Sequence, residues 1–402
     1  MLSRSSLAAV LQSLLDAELR AARGRKDPGV RPTSNLPRTW SEDMPLGGAS
    51  AAGLGCDSLE LLWLAGAVNE TFHLHEAALD DDLSGASTFG GWLDRVEAAW
   101  ASGVATVTFS TSGSTGRPKR CVHAAETLLA ETAFLADLFR DRRRIVSLVP
   151  AHHIYGFLFT AMLPDRLGVE RLDAANLGAG HLSRTLASGD LVVTFPERWH
   201  WLERSLQSWP QNVEGVVSTA PCPPDLINAL YDQGLAGMTE VYGSSETAGL
   251  GVRRRRDSSY QLMPRWRFAE PFDPEAPEVL DRNGERMTLP DRIVRHGGDR
   301  FELAGRRDGA VQVGGINVFP EHVAALLRGQ ANVRDAAVRL MRTDEGVRLK
   351  AFVVPVTRID PLQLRADLMA WIETELPVAA RPITITFGAV LPTGTMGKPI
   401  DW

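Results

Sequence analysis

Cysteine is nearly absent from this chain: Cys56, Cys121 and Cys222 are the only three in 402 residues. They stand far apart without a Cys-x-x-Cys pair, which excludes a thiolate zinc knuckle and a disulfide framework and fits a reducing compartment. Long apolar runs are missing too. No stretch approaches the roughly twenty apolar residues of a spanning helix, and the N-terminus has no apolar leader core, so a soluble cytoplasmic protein without a membrane partner is expected. Charge of one sign does not accumulate either. The 43 Lys and Arg stand against 49 Asp and Glu, a net of −6, which argues against nucleic acid as an obligatory partner. Two arginine clusters, at 142–144 and 253–256, read as solvated charges at loops or helix ends. The length leaves room for two or three domains with real cores.

What is present centres on residues 106–119, Thr-Val-Thr-Phe-Ser-Thr-Ser-Gly-Ser-Thr-Gly-Arg-Pro-Lys. The β-branched and aromatic residues at 104–109 predict a buried strand, the Ser/Thr/Gly run a loop, and 122–139 an apolar helix. In the loop, Gly113 and Gly116 let backbone N–H groups approach oxygens closely. Thr111, Ser112, Ser114 and Thr115 offer hydroxyls, and Lys119 adds a mobile positive charge. That set suits a polyphosphate. It is not a Walker A loop, because Lys119 does not follow Gly116 directly and no hydroxyl residue follows the lysine. From 104 to 242, short β-branched runs at 145–149, 191–195, 213–218 and 238–241 alternate with helical segments such as 224–233. This pattern predicts a layered α/β domain with its ligand in the loops after strand ends. The pair His152 and His153 has no further ligand nearby in sequence, so a metal site there is disfavoured.

The run from Thr111 to Lys119 resembles, nearly letter for letter, the phosphate-loop signature of the adenylate-forming superfamily of acyl-CoA synthetases, nonribosomal adenylation domains and luciferases. The resemblance covers about 105 to the C-terminus, and it implies ATP, AMP and Mg²⁺ together with a small carboxylic acid. It assigns Thr111, Ser112, Gly113, Ser114, Thr115, Gly116 and Lys119 to the phosphates, and His153, in Pro150-Ala151-His152-His153-Ile154-Tyr155-Gly156, to the side of the acyl carboxylate. Thr219, Ala220 and Pro221 would pack on adenine. In Tyr242-Gly243-Ser244-Ser245-Glu246 the motif's threonine is replaced by Ser245, which keeps the hydroxyl for the α-phosphate, and Glu246 would hold Mg²⁺. Two residues compete for the ribose. Asp299 lies seven residues before Arg306, whereas Asp291 lies fifteen before it and leaves room for a hairpin turning at 296–299. Asp291 is therefore taken as the ribose ligand and Asp299 as a turn residue. Arg306 would contact ribose or phosphate, Asp308 would be the hinge, and Lys398 would bind the carboxylate and the ribose.

Residues 2–23 place Leu7, Val10, Leu11, Leu14, Leu15 and Leu19 at helical spacing, and further helices are predicted over 55–72 and after Thr88. Gly55-Cys56-Asp57-Ser58-Leu59 at the head of an apolar helix resembles an acyl carrier protein, in which the serine matching Ser58 bears phosphopantetheine. Asp57 and Ser58 are equally good helix N-caps, so modified and unmodified forms both stand. The expected class is a multidomain α/β and α+β protein. It would comprise a four-helix carrier-protein-like module over 1–100, a shortened adenylate-forming α/β domain over 101–305 and a small mobile α+β lid over 306–402. The expected activity is conversion of an aryl or medium acyl acid to acyl-AMP with release of pyrophosphate, then thioester formation on CoA or a carrier-protein phosphopantetheine. Tyr155, Phe157, Ala248 and Gly249 as pocket residues, and a similarity to short ligases of aryl-polyene secondary metabolism, favour a hydroxybenzoate- or cinnamate-like acid. A self-loading ligase acting through Ser58, and a silent scaffold binding synthase partners, are the alternatives.

Overall fold

The computed structural model describes residues 2–26, 40–48, 53–79, 83, 85–104, 106–111, 119–254, 259–314, 316–342, 345–356, 359–392 and 402. They form two compact units, one running to Thr111 and from Lys119 to Arg267, the other from Phe268 onward.

The first unit opens with α1 (Arg4–Lys26), which buries Leu7, Val10, Leu11, Leu15 and Leu19 along one stripe. Helix α2 (Ser58–Phe72) starts at a capping box. The Asp57 carboxylate accepts the Glu60 N–H at 2.7 Å, and the Glu60 carboxylate accepts the Asp57 N–H at 3.2 Å. Thr88 caps α3 (Phe89–Ala101) by accepting the Gly91 N–H at 3.1 Å. Helix α1 and the residue before it are also tied to the later chain: Ser3 Oγ and Ser6 Oγ donate to Asp165 at 2.7 and 2.9 Å, and Ser13 Oγ accepts the Ala151 N–H at 3.1 Å.

Strand β1 (Thr106–Thr111) pairs antiparallel with β2 (Lys119–Ala124), from Thr106 opposite Ala124 to Thr111 opposite Lys119. The expected strand–loop–helix is thus corrected to a strand pair flanking the glycine loop. Residues 119–124 alternate with period two, Cys121 and His123 inward and Arg120 and Val122 outward, so they form a strand and α4 (Ala125–Leu138) begins only after them. Next come β3 (Arg144–Ser147) and a helical stretch that opens as α5 (Ile154–Gly156), widens to a π-helix (Phe157–Met162) and closes as α6 (Leu163–Leu167). The unit continues through β4 (Glu170–Asp173), α7 (Ala179–Thr185), β5 (Asp190–Thr194), α8 (Pro196–Ser205), β6 (Glu214–Val217) and α9 (Pro224–Asp232). Strands β7 (Gly237–Ser244), β8 (Ala248–Arg254) and β9 (Tyr260–Leu262) complete it.

Its sheet runs β9-β8-β7-β6-β5-β3-β4. The five strands from β7 to β4 are parallel, and β8 and β9 are antiparallel additions. Near-continuous apolar strands such as β5, buried throughout, fit a sheet covered on both faces, with Trp199, Leu202, Ile227 and Leu230 packed against it.

From Phe268, the second residue of β10 (Arg267–Phe268), the second unit continues with β11 (Glu278–Leu280) and β12 (Arg286–Thr288), which with β10 make a three-stranded sheet, followed by the hairpin β13 (Asp291–Arg295) and β14 (Arg300–Arg306). A second small hairpin joins β15 (Val311–Val313) to β16 (Ile316–Val318). Then α10 (Pro320–Arg328), β17 (Val333–Leu340), β18 (Leu349–Pro355), α11 (Pro361–Glu375) and β19 (Pro382–Phe387) form an α+β body. Strand β18 lies centrally, antiparallel to β17 and parallel to β19, and its Leu349, Ala351 and Val353 pack with Leu364, Leu368 and Ile372 of α11. Among the described residues no helix is long and apolar enough to cross a membrane.

Candidate active site

Three sequence-predicted loops leave the carboxyl ends of parallel strands in the first unit: 148–153 after β3, 218–221 after β6 and 242–246 at the end of β7. That edge is where open α/β sheets bind ligands. Thr219 sits at φ 77°, and the Ser218 hydroxyl donates to the Val241 carbonyl at 2.9 Å, which ties the loop carrying Thr219, Ala220 and Pro221 to β7. Tyr242 and Gly243 lie within β7, where the ladder with β8 slips between them. A Cβ on Gly243 would stand 2.0 Å from the Ala248 carbonyl oxygen, so only glycine fits. The turn beyond is closed reciprocally, Ser244 N–H to Thr247 Oγ1 at 2.9 Å and Thr247 N–H to Ser244 Oγ at 3.1 Å. Ser245 and Glu246 stand between them.

At this turn Lys119 Nζ donates to Glu246 Oε1 at 2.6 Å. Burial works against a charged Glu246, but the Lys119 ammonium, the backbone and the Ser244 hydroxyl outweigh it and hold the carboxyl below its ordinary value. The same hydrogen bond raises Lys119. Both groups are therefore charged at neutral pH and partly open to solvent, at 59% and 42% side-chain exposure. A lone accessible carboxylate that leaves other positions to phosphates and water is the donor set Mg²⁺ takes at nucleotide sites, and a lysine beside it suits the phosphates themselves. Thr111 faces Lys119 across the ladder, so the glycine loop is anchored on both sides at this point. Ser112, Gly113, Ser114, Thr115, Gly116 and Lys398 lie outside the described residues.

Four side chains that sequence reasoning missed grip this turn from behind. Buried His123 donates from Nε2 to the Ser245 carbonyl at 2.6 Å, and burial pushes its pKa down, so the ring is neutral. Glu131 of α4 accepts the Gly249 N–H at 2.9 Å and pairs with Arg265 at 3.2 Å. Arg265 also donates to the Thr247 carbonyl, and Trp266 Nε1 donates to the Gly249 carbonyl at 2.9 Å. A signal existed for two of them: His123 falls on the inward phase of 119–124, and Glu131 shares the buried face of α4 with Leu128 and Leu135.

His153 is the N-cap of α5, its ring 4.2 Å from that of His152. Burial pushes both imidazoles down, His152 to about 3 with help from its neighbour, so neither carries charge at neutral pH. Ser13 of α1 lies 2.7 Å from His152 Nδ1 and fixes that ring. Tyr155, expected on the acyl slot, is buried with its hydroxyl 3.1 Å from the carbonyls of Thr194 and Val216, where it bridges β5 and β6. In the second unit Asp291 stands opposite Arg306 across the β13–β14 ladder, with Nη1 to Oδ2 at 3.9 Å. The expected hairpin turning at 296–299 is present and carries Asp299. Arg306 grips Asp308 with both ends of its guanidinium, at 3.0 and 2.5 Å. Ser58 is exposed in the first turn of α2.

Residues 57–287, more than half the chain, match the AMP-binding enzyme family. The chain belongs to that family. It is an acid–thiol ligase of the adenylate-forming superfamily, as the phosphate-loop resemblance implied. A 4-coumarate–CoA ligase of Cereibacter sphaeroides is 37% identical over 87% of this chain and 84% of its own. Another from Rhodobacter capsulatus is 36% identical over 98% of this chain and 99% of its own, a span that takes in the N-terminal helices. The o-succinylbenzoate CoA synthetase of Bacillus subtilis shares the fold, with a TM-score of 0.58 and 17% identity over 74% of this chain and 68% of that one.

Proposed function

We propose that this AMP-binding enzyme activates a hydroxycinnamate-class acid with ATP and passes the acyl group to the thiol of CoA. The observation that carries the chemistry is the charged pair Lys119 and Glu246, held by a braced turn at the carboxyl edge of the sheet. The two curated relatives above, each named 4-coumarate–CoA ligase, support the acid and the acceptor. The carboxylate of the acid attacks the α-phosphorus of ATP; an oxygen–phosphorus bond forms, the bond to pyrophosphate breaks, and acyl-AMP results. Attack brings negative charges together, so the work of the protein is electrostatic. Lys119 holds phosphate oxygens once they replace Glu246 as its partner, and the Ser245 hydroxyl donates to the α-phosphate. Glu246 would hold Mg²⁺, which when bound would offset the charge of the triphosphate. Neutral His153 sits beside the acyl carboxylate without adding charge. Asp291 accepts from the ribose hydroxyls, and Lys398 neutralises the attacking carboxylate. The thiol of CoA then attacks the acyl carbon and AMP leaves, after the domain over 306–402 has turned at Asp308.

The test is pyrophosphate release across a panel of 4-coumarate, benzoates and medium-chain fatty acids, with and without CoA. Release with 4-coumarate and a CoA thioester as product are expected. Turnover with fatty acids alone would overturn the acid class, and acyl-AMP that no CoA consumes would move the acceptor to a carrier protein. A second reading is favoured by one observation: exposed Ser58 is followed on α2 by exposed Leu59, Leu62 and Trp63, an apolar face of the kind a carrier helix presents. It holds that Ser58 takes the phosphopantetheine arm. Intact mass after treatment with a phosphopantetheinyl transferase and CoA decides it, and an unchanged mass removes this reading.

A further inference from the structure

Away from the carboxyl edge, a cleft of about 380 Å³ is lined by Asn69, Glu70, His73, His75, Thr108 and Arg120. Where α2 ends, the chain makes a 3₁₀ turn (Leu74–Ala77) that brings His73, His75 and Glu76 together, one ligand atom of each within 4.8 Å of the other two. We propose that these three side chains bind a divalent cation of the zinc class, with a fourth position open to the cleft.

The outer contacts orient each group for this. Asn69 Oδ1 accepts the His75 backbone N–H at 3.0 Å and lies 3.2 Å from His75 Nδ1. An amide oxygen only accepts, so the ring proton is on Nδ1 and the lone pair on Nε2 is left for a metal. His73 Nε2 is 2.8 Å from Thr108 Oγ1, and His73 Nδ1 donates to Glu76 Oε1 at 3.0 Å; a metal ion would take the place of that shared proton, with Nε2 becoming the donor to the Thr108 hydroxyl. The Nδ1–Oε1 separation is close to the edge, about 3.3 Å, of a tetrahedron of nitrogen and oxygen ligands around zinc. Glu76 Oε1 in turn accepts from Thr106 Oγ1 at 3.2 Å. An imidazole whose far nitrogen is already committed to a fixed polar partner is how metal-ligating histidines are held. Two imidazoles and one carboxylate favour zinc or cobalt over magnesium or calcium, which take oxygen. The neighbouring Glu70 is paired with Arg120 and so is already neutralised.

Thr106 and Thr108 belong to β1, the strand that ends at the glycine loop. An ion here would fasten the turn after α2 to that strand. The site stands independently of the reading of the active site.

Co²⁺ titrated into tag-free, chelator-stripped full chain in a large excess of Mg²⁺, which saturates carboxylate-only sites, reads it out. One equivalent with tetrahedral d–d absorption is expected. His75→Ala and Glu76→Gln, both at exposed positions, should each weaken binding by about tenfold or more. Zn²⁺ should raise the melting temperature of the wild type and not of His75→Ala. Absence of the band in the wild type, or a band that survives both substitutions, overturns the proposal.

Discussion

Glu131 is a carboxylic acid held out of water. It lies wholly inside the first unit, and burial pushes its carboxyl up from 4.5 to about 7 although Arg265 and the Gly249 N–H favour its charged form. Between those two values the folded chain holds a proton that the unfolded chain releases. The stability from this group is thus fully present below about 4.5 and lost as pH rises through about 7. Glu131→Gln keeps an oxygen for Gly249 but cannot titrate. Denaturant melts at a series of pH values should show wild-type stability falling relative to the variant across that window; a gap that is constant, or that widens in favour of the wild type, would mean Glu131 stays ionised beside Arg265. Glu246 makes the opposite case. Its half-exposed pair with Lys119 contributes little to stability, so Glu246→Gln should leave the melting point unchanged. The same change should lower pyrophosphate release by roughly a hundred- to a thousandfold, the usual effect of losing one such electrostatic group. Equal activity in variant and wild type would remove Glu246 from the metal and phosphate site.

The element that sets these residues in place is the β7–β8 hairpin. Gly243 faces a backbone carbonyl, which cannot swing aside as a flexible side chain would. Gly243→Ala must therefore move Ser245 and Glu246, and since such overpacking costs typically 1–3 kcal/mol the variant should still fold. Circular dichroism should be unchanged while adenylation collapses. Full adenylation by a folded variant would show that the bulge is dispensable. Sequence pattern specifies the strands around this hairpin unevenly. The buried parallel strands were legible because Ile145, Val146, Val192, Val193, Val216 and Val217 make short β-branched runs between turns. The β13–β14 hairpin was legible from the spacing of Asp291, Asp299 and Arg306. Strand β8 was not, because Ala248-Gly249-Leu250-Gly251 has poor strand propensity and becomes a strand only by pairing with β7. The grip of Arg265 on this turn was equally invisible, since contact between two buried polar side chains is made by tertiary packing rather than by any local pattern.

At the scale of the whole molecule, the question is whether the first hundred residues are a detachable module. Helix α1 shares one compact unit with the parallel sheet, and its contacts reach the neighbourhood of the candidate site: Ser13 holds His152, the neighbour of His153, and Ser3 and Ser6 hold Asp165. Leu7, Val10, Leu11, Leu15 and Leu19 are all fully buried. At about 1.5–3 kcal/mol for each buried aliphatic side chain, those five alone amount to something on the order of 10 kcal/mol, comparable with the whole stability of a typical domain. A chain beginning at residue 101 should accordingly fail to fold cooperatively, and the full chain should show a single transition for its first unit in a thermal scan. Ser13→Ala, which removes one hydroxyl and no apolar area, should fold normally but let the His152–His153 pair shift, so KM for the acid should rise more than kcat falls. A soluble, ATP-binding 101–402 fragment would be the contrary result. It would mean that the N-terminal helices rest on the sheet without supporting it, and the detachable carrier would then be the better description.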